Sequence, residues 1–102
     1  MLDAADLQVW LEWNSGVAQV APWVRSAAPG SARYLVVLVR ESVAGRSELR
    51  QGGTVALRPG EGARLGSLAV NREPGDRCRI LVDLFEGERR VFSGVYDCAS
   101  QP

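Results

Sequence analysis

The chain has 102 residues, and its charge is balanced because twelve basic residues, all of them arginine, stand against twelve carboxylates. This length suits one domain with one modest core. A neutral chain without a long basic block argues against nucleic acid as the main partner, since phosphate binding needs excess positive charge. The longest wholly apolar run, Leu35–Val39, is far shorter than the ~20 residues that span a bilayer, so no membrane insertion is expected.

The first part of the sequence predicts two strands. Leu7–Trp13 alternates apolar and polar residues, which is typical of a half-buried strand with Trp13 toward the core and Trp10 on the opposite face. Residues 17–27 continue as a strand that is bent or broken at Pro22. Because proline cannot donate to a ladder, this strand is expected at a sheet edge or at a bulge.

The middle of the sequence predicts further strands separated by turns. Ala32–Ser42 is the most hydrophobic stretch and predicts a central strand. The next two predicted strands are Arg46–Gly53 and, separately, Val55–Leu57. A turn with well-placed proline and glycine follows at Arg58–Glu61, and another strand is predicted over Ala63–Asn71.

The strand count decides the predicted fold class. Seven or eight short strands without a convincing helix predict an all-β antiparallel sandwich, with an open barrel as the alternative. The predicted single domain covers residues 7–98. A flexible N-terminal segment over residues 1–6 precedes it, and a C-terminal tail over residues 99–102 follows it.

The only two cysteines, Cys78 and Cys98, flank a predicted β-hairpin whose turn lies within Glu86–Arg90. A turn centred on Glu88 places Cys78 directly opposite Cys98. It also places the apolar residues of both strands on one face, since strand side chains alternate with period two, and a shift of one residue would separate them. This register pairs Ile80 with Tyr96, Val82 with Gly94 and Leu84 with Phe92.

The cysteine positions and the apolar pattern agree on one register, which predicts a Cys78–Cys98 disulfide and therefore an oxidising compartment. A structural role is favoured, because the sequence gives no sign of the lowered thiol pKa that a redox centre needs. No signal peptide is visible at the start of the sequence, so the simplest interpretation is a mature exported form whose leader has been removed. The alternative is a cytosolic protein with two free thiols.

The sequence offers little chemistry for catalysis. It contains no histidine, which removes the usual general base, and two cysteines alone cannot complete a four-ligand zinc site. Asp83 and Asp97 share a strand face, but Asp97 lies opposite Arg79 in the predicted register. This favours a cross-strand ion pair over a catalytic carboxylate pair. No enzymatic activity, cofactor or metal is therefore expected.

One charged segment is a candidate binding surface. Arg46, Glu48 and Arg50 alternate with less polar residues, so they are predicted to form one exposed stripe along a strand. An ordinary solvated strand face is the simpler interpretation. The functional interpretation is a binding surface made of Arg46, Glu48, Arg50 and the adjacent Gln51.

A spaced set of glycine, proline and polar residues runs from residue 45 to residue 71. It reads Gly45-x-Ser47-x-x-x-Gln51-Gly52-Gly53, then Leu57-x-Pro59-Gly60-Glu61, then Val70-Asn71. The pattern resembles the alphaproteobacterial curli-associated domain of the CsgH type, and the resemblance covers roughly residues 7–96. Its most specific part is the first stretch.

This resemblance implies an exported periplasmic protein with an immunoglobulin-like sandwich that keeps secreted curlin subunits from polymerising into amyloid. It implies curlin-type amyloidogenic subunits as partners, and we expect a monomer. The functionally related enterobacterial inhibitor carries a Cys-x-Cys pair that this chain lacks, so no redox role tied to that motif carries over. The alternative is a structural or adhesive β-sandwich module of a secreted assembly.

The implied activity is compatible with strand chemistry. A growing amyloid end offers unpaired strand templates, which a β-rich protein could engage without extending them if its own edges are protected. Pro22 and the charged residues between positions 40 and 50 are the predicted protecting residues.

Overall fold

The computed structural model describes residues 2–14, 19–70 and 75–98. Within these residues eight strands form two antiparallel sheets, and a 3-10 turn, Ala4–Asp6, precedes the first strand. No helix in the described part of the chain is long and apolar enough to cross a bilayer. The predicted all-β antiparallel sandwich is confirmed. The strands are β1 (Leu7–Asn14), β2 (Gln19–Ser26), β3 (Gly30–Ser42), β4 (Gly45–Leu57), β5 (Gly62–Arg64), β6 (Leu68–Ala69), β7 (Arg77–Glu86) and β8 (Arg89–Asp97).

The two sheets differ in width. The first sheet has β2 at its centre, with β1 on one side and both β5 and β6 on the other. The second sheet has the strand order β4-β3-β7-β8. The first sheet is therefore at most three strands wide at any level, whereas the second is four strands wide.

The core lies between the sheets and follows the period of two along each strand. In β7 the side chains of Ile80, Val82 and Leu84 are fully buried, and the intervening positions face outward. Val20 and Val24 of β2 belong to the same buried cluster. Each such side chain contributes about 1.5–3 kcal/mol relative to an exposed position.

The carboxyl-terminal hairpin has the predicted register, but its turn differs. The turn consists of Gly87 and Glu88 alone, which by itself would shift the pairing by one residue. A β-bulge restores the register by leaving Val91 of β8 between two paired positions. The predicted pairs are all present: Ile80 with Tyr96, Val82 with Gly94 and Leu84 with Phe92.

The disulfide joins Cys78 and Cys98, as predicted, with their Cα atoms 5.1 Å apart. Both cysteines are buried in the main core cluster. The bridge therefore ties the open end of the hairpin to the centre of the domain.

The prediction that Pro22 lies at an edge or a bulge is wrong, because β2 is the central strand of its sheet. The neighbouring ladder is interrupted at this level, since β5 ends at Arg64 and β6 begins at Leu68. Across this gap the Leu65 N–H donates to the Pro22 carbonyl at 2.7 Å. The N–H and C=O groups of a strand residue point to the same side of the strand. The N–H group that proline lacks would therefore point into this gap between β5 and β6.

Two other predicted segmentations are corrected by the structure. Arg46–Gly53 and Val55–Leu57 form one continuous strand, β4. Tyr34 pairs with Gly53 across the ladder. A Cβ added to Gly53 would lie 2.9 Å from the Tyr34 hydroxyl, so the tyrosine ring covers this glycine and β4 continues through it.

The predicted strand Ala63–Asn71 is divided into β5 and β6 by the break opposite Pro22. Its last residue lies outside the described residues, as do positions 17 and 18 of the predicted second strand and the predicted tail, residues 99–102.

The sequence pattern predicts a domain that begins at residue 7, yet the segment before it contributes to the core. Leu2 is only 1% exposed. Its backbone N–H lies 3.1 Å from each carboxylate oxygen of Glu86, and its carbonyl accepts a hydrogen bond from Arg89. Residues 2–6 therefore pack on the sandwich through both an apolar side chain and backbone hydrogen bonds.

Candidate interaction surfaces

The predicted charged stripe lies on an exposed edge of the second sheet. Among the described strands, β4 pairs only with β3. Arg46 Nη2 lies 2.8 Å from one Glu48 oxygen, and Arg50 Nη2 lies 3.3 Å from the other. Because all three residues are exposed, each ion pair contributes only about 0–1 kcal/mol to stability. Charges along an edge strand nevertheless discourage edge-to-edge pairing with another sheet.

Gln51 does not belong to this stripe. Its side chain points to the opposite face of β4, and its Nε2 donates to the Ser67 carbonyl at 2.9 Å. Ser67 lies between β5 and β6, so this hydrogen bond joins the two sheets along one side of the sandwich. The structure thus brings together Arg46, Glu48 and Arg50, and it gives Gln51 a structural contact instead.

Glu86 anchors the amino-terminal segment electrostatically. The Leu2 backbone N–H is the main cause that lowers the pKa of the Glu86 carboxyl, and the Arg89 guanidinium, 3.1 Å away, lowers it further. Both contacts favour the ionised carboxylate, so the attachment of Leu2 depends on the charge of Glu86.

The outer face of the first sheet carries an aromatic pair. Trp10 of β1 and Trp23 of β2 are opposite each other and stacked, with ring centroids 6.2 Å apart and planes inclined by 14°. The Arg25 guanidinium lies 5.4 Å from the centroid of Trp10, within cation–π range. Trp13 packs against the core cluster, so the two tryptophans of β1 occupy opposite faces as predicted.

The side of the sandwich opposite Gln51 is less closed. Here β1 and β8 border an apolar groove of about 480 Å³, which sequence patterns did not single out. Its main lining residues are Val9, Leu11 and Trp13 of β1 with Val95 and Tyr96 of β8. Val95 is 62% exposed, and partial burial raises the pKa of the Tyr96 phenol. The apolar alternation of β1 was visible in the sequence, but the groove exists only because two distant edges meet.

The carboxylates considered for catalysis belong to the outer face of the second sheet. Asp97 pairs with Arg79 in the register, as predicted, and Asp83 pairs with Ser93. Arg79 also lies 3.4 Å from Glu41 of β3, so this region is a mixed charge network. In the ranges covered by the structure, no group of three or more histidine, cysteine or carboxylate side chains is arranged to hold a metal ion.

The fold and its surfaces define an all-β, immunoglobulin-like sandwich that is closed by one disulfide and carries exposed strand edges. Residues 1–94 match the family described as thin aggregative fimbriae synthesis protein, Tafi-CsgC. The chain belongs to this family, which confirms the resemblance to curli-associated proteins seen in the sequence.

Solved structures share this fold. The solution structure of R. palustris CsgH has a TM-score of 0.68 and 15% sequence identity, and the match covers 90% of each chain. The E. coli curli protein CsgC, in its SeCys form, has a TM-score of 0.70 and 22% identity over 89% of this chain and 96% of that one. At these identities the likeness establishes the fold. No curated protein sequence matches the chain.

Proposed function

We propose that this protein binds curlin-type subunits in the periplasm and keeps them from polymerising into amyloid before they are exported. The observation that carries the proposal is the match of residues 1–94 to the thin aggregative fimbriae synthesis family. The shared fold with a curli protein of E. coli supports the same role.

The proposed inhibition requires only strand chemistry. An amyloid-forming segment presents unpaired backbone groups and alternating side chains, and an exposed strand edge can pair with such a segment. The charged stripe on β4 would limit pairing between copies of this protein, so that a bound segment is capped and not extended. No bound nucleotide or metal enters this account.

The disulfide supports the proposed location. A buried Cys78–Cys98 bridge forms and persists in an oxidising compartment such as the bacterial periplasm. A periplasmic site would also place the protein where subunits pass on their way out of the cell.

The test is a dye-monitored fibrillation assay with a purified curlin subunit. Substoichiometric amounts of the oxidised protein are expected to lengthen the lag phase, and an unrelated disulfide-bonded β-sandwich of similar size serves as the control. Unchanged kinetics at an equimolar ratio would refute the proposal. Gel filtration with light scattering addresses the structural-module alternative, which predicts stable self-association or tight binding to a folded partner.

A further inference from the structure

We infer that β1 is the docking edge for a partner strand: an extended segment with alternating apolar side chains adds to β1 and lies over the inner face of β8. The inference rests on the proposed function, because it names the surface that a client segment would occupy. It is carried by the widths of the sheets, the direction of the backbone groups of β1, and the carboxylate of Glu12 at one end of the groove.

The groove occupies the position of a missing strand. The first sheet is one strand narrower than the second. On the far side the sheets are joined by the hydrogen bond from Gln51 to Ser67, so the difference in width falls beside β1. A fourth strand paired with β1 would make the sheets equal in width and would cover the inner face of β8.

The backbone of β1 is oriented to accept such a strand. The Pro22 and Ser26 carbonyls accept hydrogen bonds from Leu65 and Gly60, so both point away from β1. Their partners in the antiparallel register, Leu11 and Leu7, therefore direct their own N–H and C=O groups away from β2. By the period of two, the same holds for Val9 and Trp13, and among the described strands none pairs with this edge.

The same residues supply both kinds of contact. Val9, Leu11 and Trp13 point their side chains into the groove and their backbone groups toward its open edge. Opposite them a Cβ added to Gly94 would lie 3.0 Å from the Phe92 ring and from the Tyr96 hydroxyl, so both side chains lie over this glycine on the inner face of β8. An added strand would thus gain ladder hydrogen bonds and bury alternate side chains, which is the strand-addition mode of peptide recognition.

The two ends of the groove differ in charge. β1 and β8 run in the same direction, because Leu2 contacts Arg89 at one end while Trp13 lies near Asp97 at the other. At the beginning Arg89 forms an ion pair with Glu86, whereas at the end Glu12 is exposed on β1 and Asp97 of β8 lies opposite Arg79 in the register. A segment that is antiparallel to β1 starts beside Glu12, so the complementary partner has a basic amino end.

The experiment uses the intact, oxidised, ¹⁵N-labelled protein and a defined peptide. The probe is a capped peptide of eight residues, the length of β1, that alternates valine and threonine between an N-terminal lysine and a C-terminal glutamate. Bound peptide is expected to slow amide hydrogen exchange at Val9, Leu11 and Trp13 by at least ~10-fold at saturation, because their N–H groups gain partners. The peptide with exchanged ends is expected to bind about fivefold more weakly, because its glutamate then lies beside Glu12 in place of the lysine.

Matched variants separate backbone pairing from side-chain burial. Leu11→Pro removes both the leucine side chain and the outward N–H, which an edge strand tolerates, whereas Leu11→Ala removes only the side chain. Leu11→Pro is expected to abolish peptide binding and Leu11→Ala to weaken it. Glu12→Arg, an exposed change that preserves the fold, is expected to remove or reverse the charge preference. Gln8→Ala, whose side chain lies on the outer face, is the neutral control.

The outcomes distinguish this inference from the proposed function. The docking of a client segment at β1 is overturned if the peptide protects no β1 amide, or if the peptide with exchanged ends binds as tightly. Either result overturns it even when the protein delays fibrillation. If the peptide binds at β1 but fibrillation is unchanged, the proposed function fails and strand addition at β1 is supported. Concentration-dependent protection of β1 without peptide would show that a second copy occupies the edge, and it would overturn the assignment to a client segment.

Discussion

Removing the Cys78–Cys98 disulfide is expected to lower the free energy of unfolding by about 3 kcal/mol. The two cysteines are 20 residues apart in sequence. Closing a loop of this length removes about 11 cal/mol/K of entropy from the unfolded chain, which is roughly 3 kcal/mol at 25 °C. Because small domains have a total stability of about 5–15 kcal/mol, this loss is a large fraction of the whole.

Two forms of the protein isolate the effect. Reduction of the wild type opens the loop but leaves both thiols in the core. The double variant Cys78→Ala/Cys98→Ala also removes two buried sulfur atoms, since the cysteines are 4% and 0% exposed. The double variant is therefore expected to be at least as unstable as the reduced wild type.

The measurement is reversible urea unfolding followed by tryptophan fluorescence. With a urea dependence of about 1–3 kcal/mol/M, a loss of about 3 kcal/mol lowers the midpoint by about 1–3 M. Reductant is expected to shift the wild type and to leave the double variant unchanged. Far-UV circular dichroism before unfolding checks that both forms keep the strand fold.

Two results would contradict the reasoning. A loss below about 1 kcal/mol would mean that the cross-link does not constrain the unfolded chain as its loop length requires. A changed urea slope with an unchanged midpoint would mean that the two forms expose different surface areas on unfolding, and the entropic interpretation would then fail.

The same unfolding assay tests three further predictions. Leu2→Ala is expected to lower the free energy of unfolding by about 2–4 kcal/mol, because the Leu2 side chain is 1% exposed. Val43 is fully exposed, so Val43→Ala should change that free energy by no more than about 0.5 kcal/mol. Equal losses in the two variants would contradict the burial argument. Glu86→Gln should make the free energy of unfolding depend less on acid pH. The pKa of Glu86 is lowered in the folded state from its usual value of 4.5, so the stabilisation by Glu86 is present above pH 4.5 and is lost as the pH falls through the folded pKa. Identical pH profiles for the wild type and the variant would contradict this reasoning. Gln51→Ala should lower the free energy of unfolding by about 0.5–1.5 kcal/mol through the lost bond to Ser67, more than the exposed Arg50→Ala. A reversed order would show that the inter-sheet bond contributes less than the surface ion pair.

The hairpin shows how far local patterns reach. Side chains alternate across a strand, so only one register places Ile80, Val82 and Leu84 with their apolar partners on a buried face. The turn was less predictable. A two-residue turn combined with a bulge at Val91 gives the same pairing as the predicted turn, because the bulge compensates for the shift.

Pro22, Gln51 and Leu2 show where local patterns fail. Pro22 lies in a central strand because a break in the neighbouring ladder faces it, and that break belongs to a segment some forty residues away. Gln51 has a polar side chain that resembles a surface group, yet it bonds to another sheet. Leu2 precedes the strand pattern altogether, yet its side chain is buried in the core cluster and its backbone is bound by Glu86 and Arg89.

The amino-acid sequence by itself determined the all-β class, the disulfide-linked hairpin and the alternating apolar face of β1, because each depends on the period of two within or between neighbouring segments. Tertiary structure alone decided which strands became edges and where the sheets failed to match in width. Those properties depend on how distant strands pair, so the groove between β1 and β8, and with it the proposed docking edge, emerges only when Val9, Leu11 and Trp13 meet Tyr96 in the folded chain.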